Sequence, residues 1–133
     1  MSGFKRLPIP ESVREQVARI VTDFNREVIK NSECSYVPRY RGSFLYLDRR
    51  NYGAVGPIAR LTYQGGMNDW TFAIYKYSNE QYDSRDWFFP GSEHADGTVV
   101  GAMKAGLEAY PLGNDRRMGA IRRLFVRMFG HQR

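Results

Sequence analysis

Hydrophobic and polar positions alternate most regularly over residues 70–77, which read Trp-Thr-Phe-Ala-Ile-Tyr-Lys-Tyr. Successive side chains of a strand point to opposite faces, so Trp70, Phe72 and Ile74 would share one face. The β-branched and aromatic residues of this stretch suit a half-buried pleated surface. The pattern predicts a central strand of an antiparallel sheet, preceded by a glycine-rich turn.

Shorter stretches of the same kind predict the remaining strands. Residues 43–49 and 57–64 are two of them, and 36–40 is placed at the sheet edge because Pro38 lacks a backbone donor. The strand at 43–49 has apolar side chains on both faces, so it is expected to be covered on both sides. The apolar run 87–89 is a further candidate. Together these stretches predict four or five strands in an antiparallel meander.

A helical period predicts one helix before the strands. Apolar residues recur every three or four positions over 12–30 and form a single stripe. Ser12 and Glu15 have the spacing of a capping box, which predicts that the helix starts near Ser12.

A second helix is predicted after the strands. Either Asp96 or Thr98 can cap its start, and Pro111 would end it after about Tyr110. Glycine inside a helix costs about 1 kcal/mol relative to alanine. The glycines within this helix therefore indicate close packing rather than helix propensity.

These elements predict an α+β fold for residues 1–112. The four- or five-stranded antiparallel meander would be covered by the N-terminal helix and the second helix in one domain. Residues 113–133 would follow as a basic amphipathic C-terminal helix, docked on the domain or on a second copy of the chain. The predicted core is Val17, Val21, Phe24, Leu45, Leu47, Leu61, Phe72, Ile74, Met103 and Leu107.

Positive charge is concentrated in the C-terminal segment. The chain has a net charge of +6, and residues 112–133 hold six arginines and one aspartate, or 6 − 1 = +5. This helix could dock within a homo-oligomer or on its own domain, contact nucleic-acid phosphates, or enter a partner groove. Membrane binding is disfavoured because the segment lacks tryptophan and lysine. The candidate nucleic-acid contacts are Arg116, Arg117, Arg122, Arg123 and Arg127, with Arg41 and Arg60 from the strands.

Aromatic and basic residues also gather on or beside the predicted strands. If several share an exposed face, they would stack bases and pair with phosphates. The alternative is that the tyrosines line the rim of the core while the arginines face solvent, and the acidic residues of the body favour this alternative. The residues are Tyr40, Arg41, Tyr46, Arg49, Arg60, Tyr63, Tyr75, Lys76 and Tyr77.

One histidine lies between carboxylates in the sequence Glu93-His94-Ala95-Asp96. A carboxylate can orient an imidazole as a general base or a metal ligand, so Glu93, His94 and Asp96 are the candidate catalytic residues. The plainer interpretation is a surface histidine beside acids. Cys34 has no recognisable helper for a nucleophilic role. Neither a metal site nor a cofactor is predicted, and an enzyme is not the favoured class.

The compartment is predicted from three features. The single cysteine favours a reducing environment. No apolar run approaches the roughly 20 residues of a membrane span, and the first residues lack the apolar core of a signal peptide. A soluble cytoplasmic protein is therefore expected.

Four segments carry a family resemblance: Trp-Thr-Phe-Ala-Ile-Tyr-Lys-Tyr-Ser at 70–78, Phe-Pro-Gly at 89–91, Asp-Gly-Thr-Val-Val-Gly-Ala-Met at 96–103 and Ala-Gly-Leu-Glu-Ala-Tyr-Pro at 105–111. With these segments, the order of the elements resembles that of small bacterial domain families of unknown function, in which a helix precedes an antiparallel meander and another helix follows. The resemblance implies this fold and no activity.

The leading functional hypothesis is a non-enzymatic binding or interaction module that self-associates. It follows from a well-formed scaffold in which the sequence shows no recognisable catalytic set. A nucleic-acid-binding accessory protein that uses the C-terminal arginines is the alternative. A small enzyme with a site near His94 is the second alternative.

Overall fold

The computed structural model describes residues 7–86 and 88–113, so residues 114–133 of the predicted C-terminal helix lie outside it. The prediction of an α+β fold with an antiparallel sheet is confirmed. The helices are α1 (Glu11–Phe24), continued by a π-helical turn (Asn25–Ile29), and α2 (Val99–Ala109), preceded by a 3-10 turn (Ser92–His94). The strands are β1 (Cys34–Arg41), β2 (Phe44–Asn51), β3 (Ala54–Tyr63), β4 (Trp70–Lys76) and β5 (Gln81–Asp83). Neither helix of the described ranges has the length and apolar character needed to cross a membrane.

The sheet is a meander in which the strands lie in the order β1-β2-β3-β4-β5 and all pairs are antiparallel. β1, which contains Pro38, is an edge strand, as predicted. The strand predicted as central is β4, which lies inside the sheet between β3 and β5. The middle strand of the five is β3. Arg41 pairs with Phe44 across a two-residue turn, where Gly42 has a φ of 61° that side-chain-bearing residues rarely adopt.

The fifth strand differs from the predicted one. β5 precedes the apolar run 87–89, and neither Phe88 nor Phe89 belongs to a strand, while Trp87 lies outside the described residues. Phe88 is 89% exposed, whereas Phe89 is buried and stacks on Phe72 with ring centroids 5.7 Å apart. The apolar run therefore reflects a core contact made from a loop. A three-residue strand is too short to produce a recognisable alternation.

α1 begins without the predicted capping box. The N-cap residue is Pro10, in extended conformation, and no side chain of the described residues caps this end. Ser12 and Glu15 therefore form no capping box, although the helix starts at Glu11, near Ser12 as predicted. The carbonyl of Pro10 accepts the first helical N–H groups instead. Beyond the helix, the Asn25 side chain donates to the Tyr36 carbonyl at 3.1 Å and accepts from the Tyr36 N–H at 2.8 Å. These bonds tie the end of α1 to β1.

α2 begins at the predicted cap. The Thr98 hydroxyl oxygen accepts from the Gly101 N–H at 2.9 Å. The Asp96 carboxylate in turn accepts from the Thr98 hydroxyl at 2.6 Å and from the Thr98 N–H at 3.1 Å. Farther along the helix, Gly106 packs so closely against Tyr36 that a β-carbon would not fit. This contact agrees with the predicted packing role of the helix glycines.

Both helices pack on one face of the sheet, and the core lies between these layers. Leu45 and Leu47 of β2 point into the core, while Phe44 and Tyr46 point to the opposite face and are half-buried. The described residues therefore cover β2 with helices on one side only, which corrects the expectation of two covered sides. The predicted core residues are buried, except that Leu107 is partly buried.

A buried arginine joins the sheet to the end of α2. Arg49 is 2% exposed, and its guanidinium donates to the carbonyls of Gly106 and Tyr110 and to the Tyr36 hydroxyl. The carbonyl end of a helix carries partial negative charge, which stabilises the cation. Burial raises the pKa of Tyr36 to about 12, with Arg49 opposing the rise, so the hydroxyl keeps its proton. Arg49 therefore has a structural role.

Lys76, near the end of the predicted alternation, forms two ion pairs. Its side chain is 11% exposed, and Nζ lies 2.7 Å from an Asp86 oxygen and 3.1 Å from an Asp83 oxygen. Burial lowers the pKa of Lys76, but the two carboxylates outweigh burial and raise it above 10.5. Burial likewise raises the pKa of Asp83, yet the Arg85 N–H and the Lys76 ammonium outweigh it and hold this pKa below 3.8.

We expect the free energy of unfolding to fall in acid partly through Asp83. Its pKa is lower in the folded state, so its stabilisation is complete above the unfolded-state pKa of about 3.9 and is lost as the pH falls through the folded value. Urea unfolding at about pH 5 and about pH 3 measures the fall. Asp83→Asn should show a smaller fall than the wild type, and an equal fall would contradict the prediction.

Candidate functional site

The half-exposed face of the sheet is the candidate functional site, and we call it the open face. The strand register brings residues from all five strands together there. Phe44 lies opposite Arg41, and Tyr46 lies between Arg39 of β1 and Arg60 of β3. The open face consists of Arg39, Arg41, Phe44, Tyr46, Arg60, Tyr75 and Tyr82.

The aromatic rings of the open face form a continuous row. The ring centroids of Phe44 and Tyr46 are 6.0 Å apart, those of Tyr46 and Tyr82 are 5.5 Å apart, and those of Tyr82 and Tyr75 are 5.0 Å apart. These separations and the tilted or edge-on geometries are the ones that aromatic pairs prefer. Tyr46 and Tyr82 come from β2 and β5, so their side chains reach toward each other across β3 and β4. Ala73 of β4 is consequently buried on this side.

Arginine side chains lie over these rings. The guanidinium carbon of Arg39 is 4.3 Å from the centroid of Tyr46, and that of Arg60 is 4.6 Å from Phe44 and 5.3 Å from Tyr82. A guanidinium is attracted to the face of an aromatic ring. The Nε of Arg60 is buried and has no hydrogen-bond partner among residues 7–86 and 88–113. The rings, rather than a carboxylate of that part of the chain, therefore hold the Arg60 cation in place.

Charge on the open face is mainly positive. Arg39 donates to both oxygens of Asp48, at 2.9 and 3.3 Å, whereas Arg41 and Arg60 form no ion pair within the described ranges. Burial raises the pKa of Tyr82 to about 12, with Asp48 adding to the rise and Arg39 opposing it. Its hydroxyl is therefore a neutral hydrogen-bond donor at neutral pH. The open face presents cations and aromatic hydroxyls together.

A groove of about 510 Å³ continues the open face at the β1–β2 turn. The Ile9 N–H donates to the Gly42 carbonyl at 3.2 Å, which holds the segment before α1 beside this turn. The groove thus has ring surfaces on one side and an exposed guanidinium on another. It is lined by Pro8, Arg41, Gly42, Ser43, Phe44 and Tyr46.

The structure brings together only some of the predicted sheet residues. Arg41, Tyr46, Arg60 and Tyr75 lie on the open face. Tyr77 follows β4 and donates its hydroxyl to a β3 carbonyl at 2.8 Å. The helix-covered side instead receives Tyr40, Arg49, Tyr63 and Lys76. The C-terminal candidates lie outside the described residues, so their role stays a prediction: Arg116, Arg117, Arg122, Arg123 and Arg127.

Sequence reasoning missed Arg39, Phe44 and Tyr82 as members of this site. Arg39 could have been predicted from the sequence. It lies two residues before Arg41 in β1, so the two side chains point to the same face of the sheet. Tyr82 could not, since its strand is three residues long and its ring contact with Tyr46 spans two intervening strands.

The predicted catalytic residues are only partly brought together. His94 Nε2 lies 2.9 Å from an oxygen of Glu108 on α2 and 3.7 Å from an oxygen of Glu93. Asp96 accepts hydrogen bonds from the hydroxyl and the N–H of Thr98, the N-cap of α2, and these bonds hold the pKa of Asp96 below 3.8. Among the described residues, the donor atoms that lie within 4.8 Å of one another are those of Glu93, His94 and Glu108, so a shared role for Asp96 and His94 stays a prediction. Sequence reasoning missed Glu108, because the sequence does not show which residue of α2 lies next to the 3-10 turn that contains His94.

Comparison with known proteins assigns no family or function to this site. No family model, curated protein or solved structure matches the chain. Function is therefore inferred from the residues of the site.

Proposed function

We propose that this protein is a non-enzymatic binding module whose open face binds single-stranded nucleic acid. The observation that carries the proposal is the position of Arg60 between the rings of Phe44 and Tyr82, without a carboxylate partner among the described residues. A guanidinium held in this way keeps N–H groups for an anionic ligand. The surrounding rings offer apolar surfaces on which bases stack.

The layout of the site favours a single strand over a duplex. Bases in a single strand are free to stack on protein side chains, whereas those of a duplex are stacked on one another. The aromatic row crosses the sheet, and the groove beside Arg41 gives room for a base at one end. Arg41 and Arg60 lie on either side of Phe44, and in this proposal they contact the phosphates.

This proposal unites two hypotheses from the sequence, the binding module and base stacking on a sheet face. Self-association and phosphate binding by the C-terminal arginines remain predictions. Both are compatible with a ligand on the open face, because they involve the segment that follows α2.

The binding test compares a charge-reduced open face with the wild type. Fluorescence polarisation with labelled oligo(dT) should show binding that weakens from about 50 to about 200 mM salt, since released counterions drive phosphate contacts. Each phosphate contact with a single strand contributes about 0.7 to the slope of log affinity against log salt concentration. The double variant Arg41→Gln, Arg60→Gln removes two such contacts, so its slope should be shallower by about 1.4. Its affinity at the lower salt should also fall.

The matched control is Arg19→Gln, Arg26→Gln, which removes the same charge from an exposed position of α1 and an exposed position of the π-helical turn that continues it. It should bind as tightly as the wild type. Arg41→Gln alone separates binding from folding, because Arg41 is exposed. Equal losses in the open-face and control variants would contradict the proposal. Loss only in a variant carrying Arg116→Gln, Arg123→Gln and Arg127→Gln would move the binding to the C-terminal segment.

A further inference from the structure

We propose that Glu93, His94 and Glu108 form a binding site for a divalent transition-metal ion, and that Zn²⁺ suits this donor set. The site is separate from the open face and independent of its ligand. One imidazole nitrogen and two carboxylate oxygens lie within 4.8 Å of one another. Imidazole and carboxylate groups are both established zinc ligands.

The distances between the donor atoms are close to those around a tetrahedral zinc ion. Bonds of about 2.0–2.2 Å at tetrahedral angles place neighbouring donors about 3.3–3.6 Å apart. His94 Nε2 is 2.9 Å from Glu108 Oε2 and 3.7 Å from Glu93 Oε2, so the two separations bracket this range. The two carboxylate oxygens lie within 4.8 Å of each other, and both side chains are exposed, so they are free to adjust around an ion.

The backbone fixes the two parts of the site next to each other. Gly91, with a φ of 93°, precedes the 3-10 turn, and its carbonyl accepts from the His94 N–H at 3.0 Å. A β-carbon at Gly91 would lie 2.7 Å from the β-carbon of Glu108. Only glycine therefore allows the turn to approach α2 this closely, and the approach does not depend on the charges of the three donors.

A cation is electrostatically favoured at this position. Glu108 lies in the last turn of α2, where the backbone carbonyls carry partial negative charge, and Glu93 adds a second carboxylate. These negative charges repel one another and attract a divalent ion. The nitrogen of His94 distinguishes the site from the all-oxygen sites that calcium and magnesium prefer. The His94 side chain is 33% exposed, which leaves a fourth ligand position for water.

Calorimetric titration of the full chain with ZnCl2 tests the proposal. We expect one zinc ion per chain in the wild type. His94→Ala and Glu108→Gln should each weaken binding at least about tenfold, because even the loss of an outer-shell partner weakens metal binding about 10- to 100-fold. Co²⁺ gives a second readout, since its visible absorption in a tetrahedral site should disappear in the same variants.

The matched control is His131→Ala, at the other histidine of the chain. It should bind zinc as the wild type does. Circular dichroism checks that the variants fold, which we expect because Glu93 and Glu108 are exposed and His94 is partly so. Absence of zinc binding in the wild type, binding that survives His94→Ala, or binding lost in His131→Ala would each overturn the proposal.

Discussion

Replacing Lys76 by methionine is expected to lower the free energy of unfolding by about 3 kcal/mol. The change leaves the carboxylates of Asp83 and Asp86 without the ammonium that lies 3.1 and 2.7 Å from them. The Asp86 side chain is 12% exposed, so water replaces the lost partner poorly. Urea denaturation at neutral pH measures the difference.

The matched control for this change is Arg26→Met. Arg26 also contacts two carboxylates, those of Asp23 and Glu27, at 2.8 and 3.0 Å, but its side chain is 61% exposed. Exposed ion pairs of this geometry contribute little, because water and salt screen them. The control should leave the unfolding midpoint unchanged. Equal losses in the two variants would show that burial does not govern the strength of the Lys76 pairs.

Replacing Gly106 by alanine is expected to lower the free energy of unfolding by about 2 kcal/mol. A methyl group there would lie 2.6 Å from Cγ2 of Ile58 and closer still to the Tyr36 hydroxyl. The hydroxyl is held by its bond to the Met103 carbonyl at 2.7 Å, and Ile58 is buried. The steric cost of about 3 kcal/mol exceeds the gain of about 1 kcal/mol that alanine has over glycine within a helix. Urea denaturation again measures the loss.

Gly66→Ala is the control for Gly106→Ala. A β-carbon at Gly66 would lie 3.7 Å from the β-carbon of Asp69, an ordinary contact, and Gly66 has no positive φ. We expect its unfolding midpoint to match the wild type. A Gly106→Ala protein as stable as the wild type would mean that α2 shifts away from β1 at little cost.

The element order and most of the core were predictable because they depend on local pattern. The apolar positions of the alternation at 70–77 and of the stripe at 12–30 are largely the positions that are buried. Thr98 was predictable as a cap because its own hydroxyl accepts the hydrogen bond at the start of α2. The capping box predicted at Ser12 does not form, because the helix begins at Glu11, before the start that a Ser12 cap requires. The Pro10 carbonyl accepts the hydrogen bonds of the first turn instead. Local signals therefore succeed where the burial of a whole face supports them.

The candidate sites were less predictable because they depend on contacts between distant elements. Arg60 and Tyr46 were predicted as members of a sheet face, since neighbouring strands bring them together. The contact of Tyr82 with Tyr46 requires knowledge of how far each ring reaches across the sheet. Glu108 meets His94 only because Gly91 allows the turn to approach α2. No spacing in the sequence encodes these distances.

The meander order has a consequence for how the chain folds. Each strand pairs only with strands adjacent in sequence, so building the sheet closes only short loops, and short loops lose little chain entropy. The docking of α2 is different, because the bond from Tyr36 to Met103 joins residues 67 positions apart. Topologies dominated by local contacts fold quickly. We therefore expect the docking of α2 on the sheet to cost more chain entropy than the pairing of any two neighbouring strands.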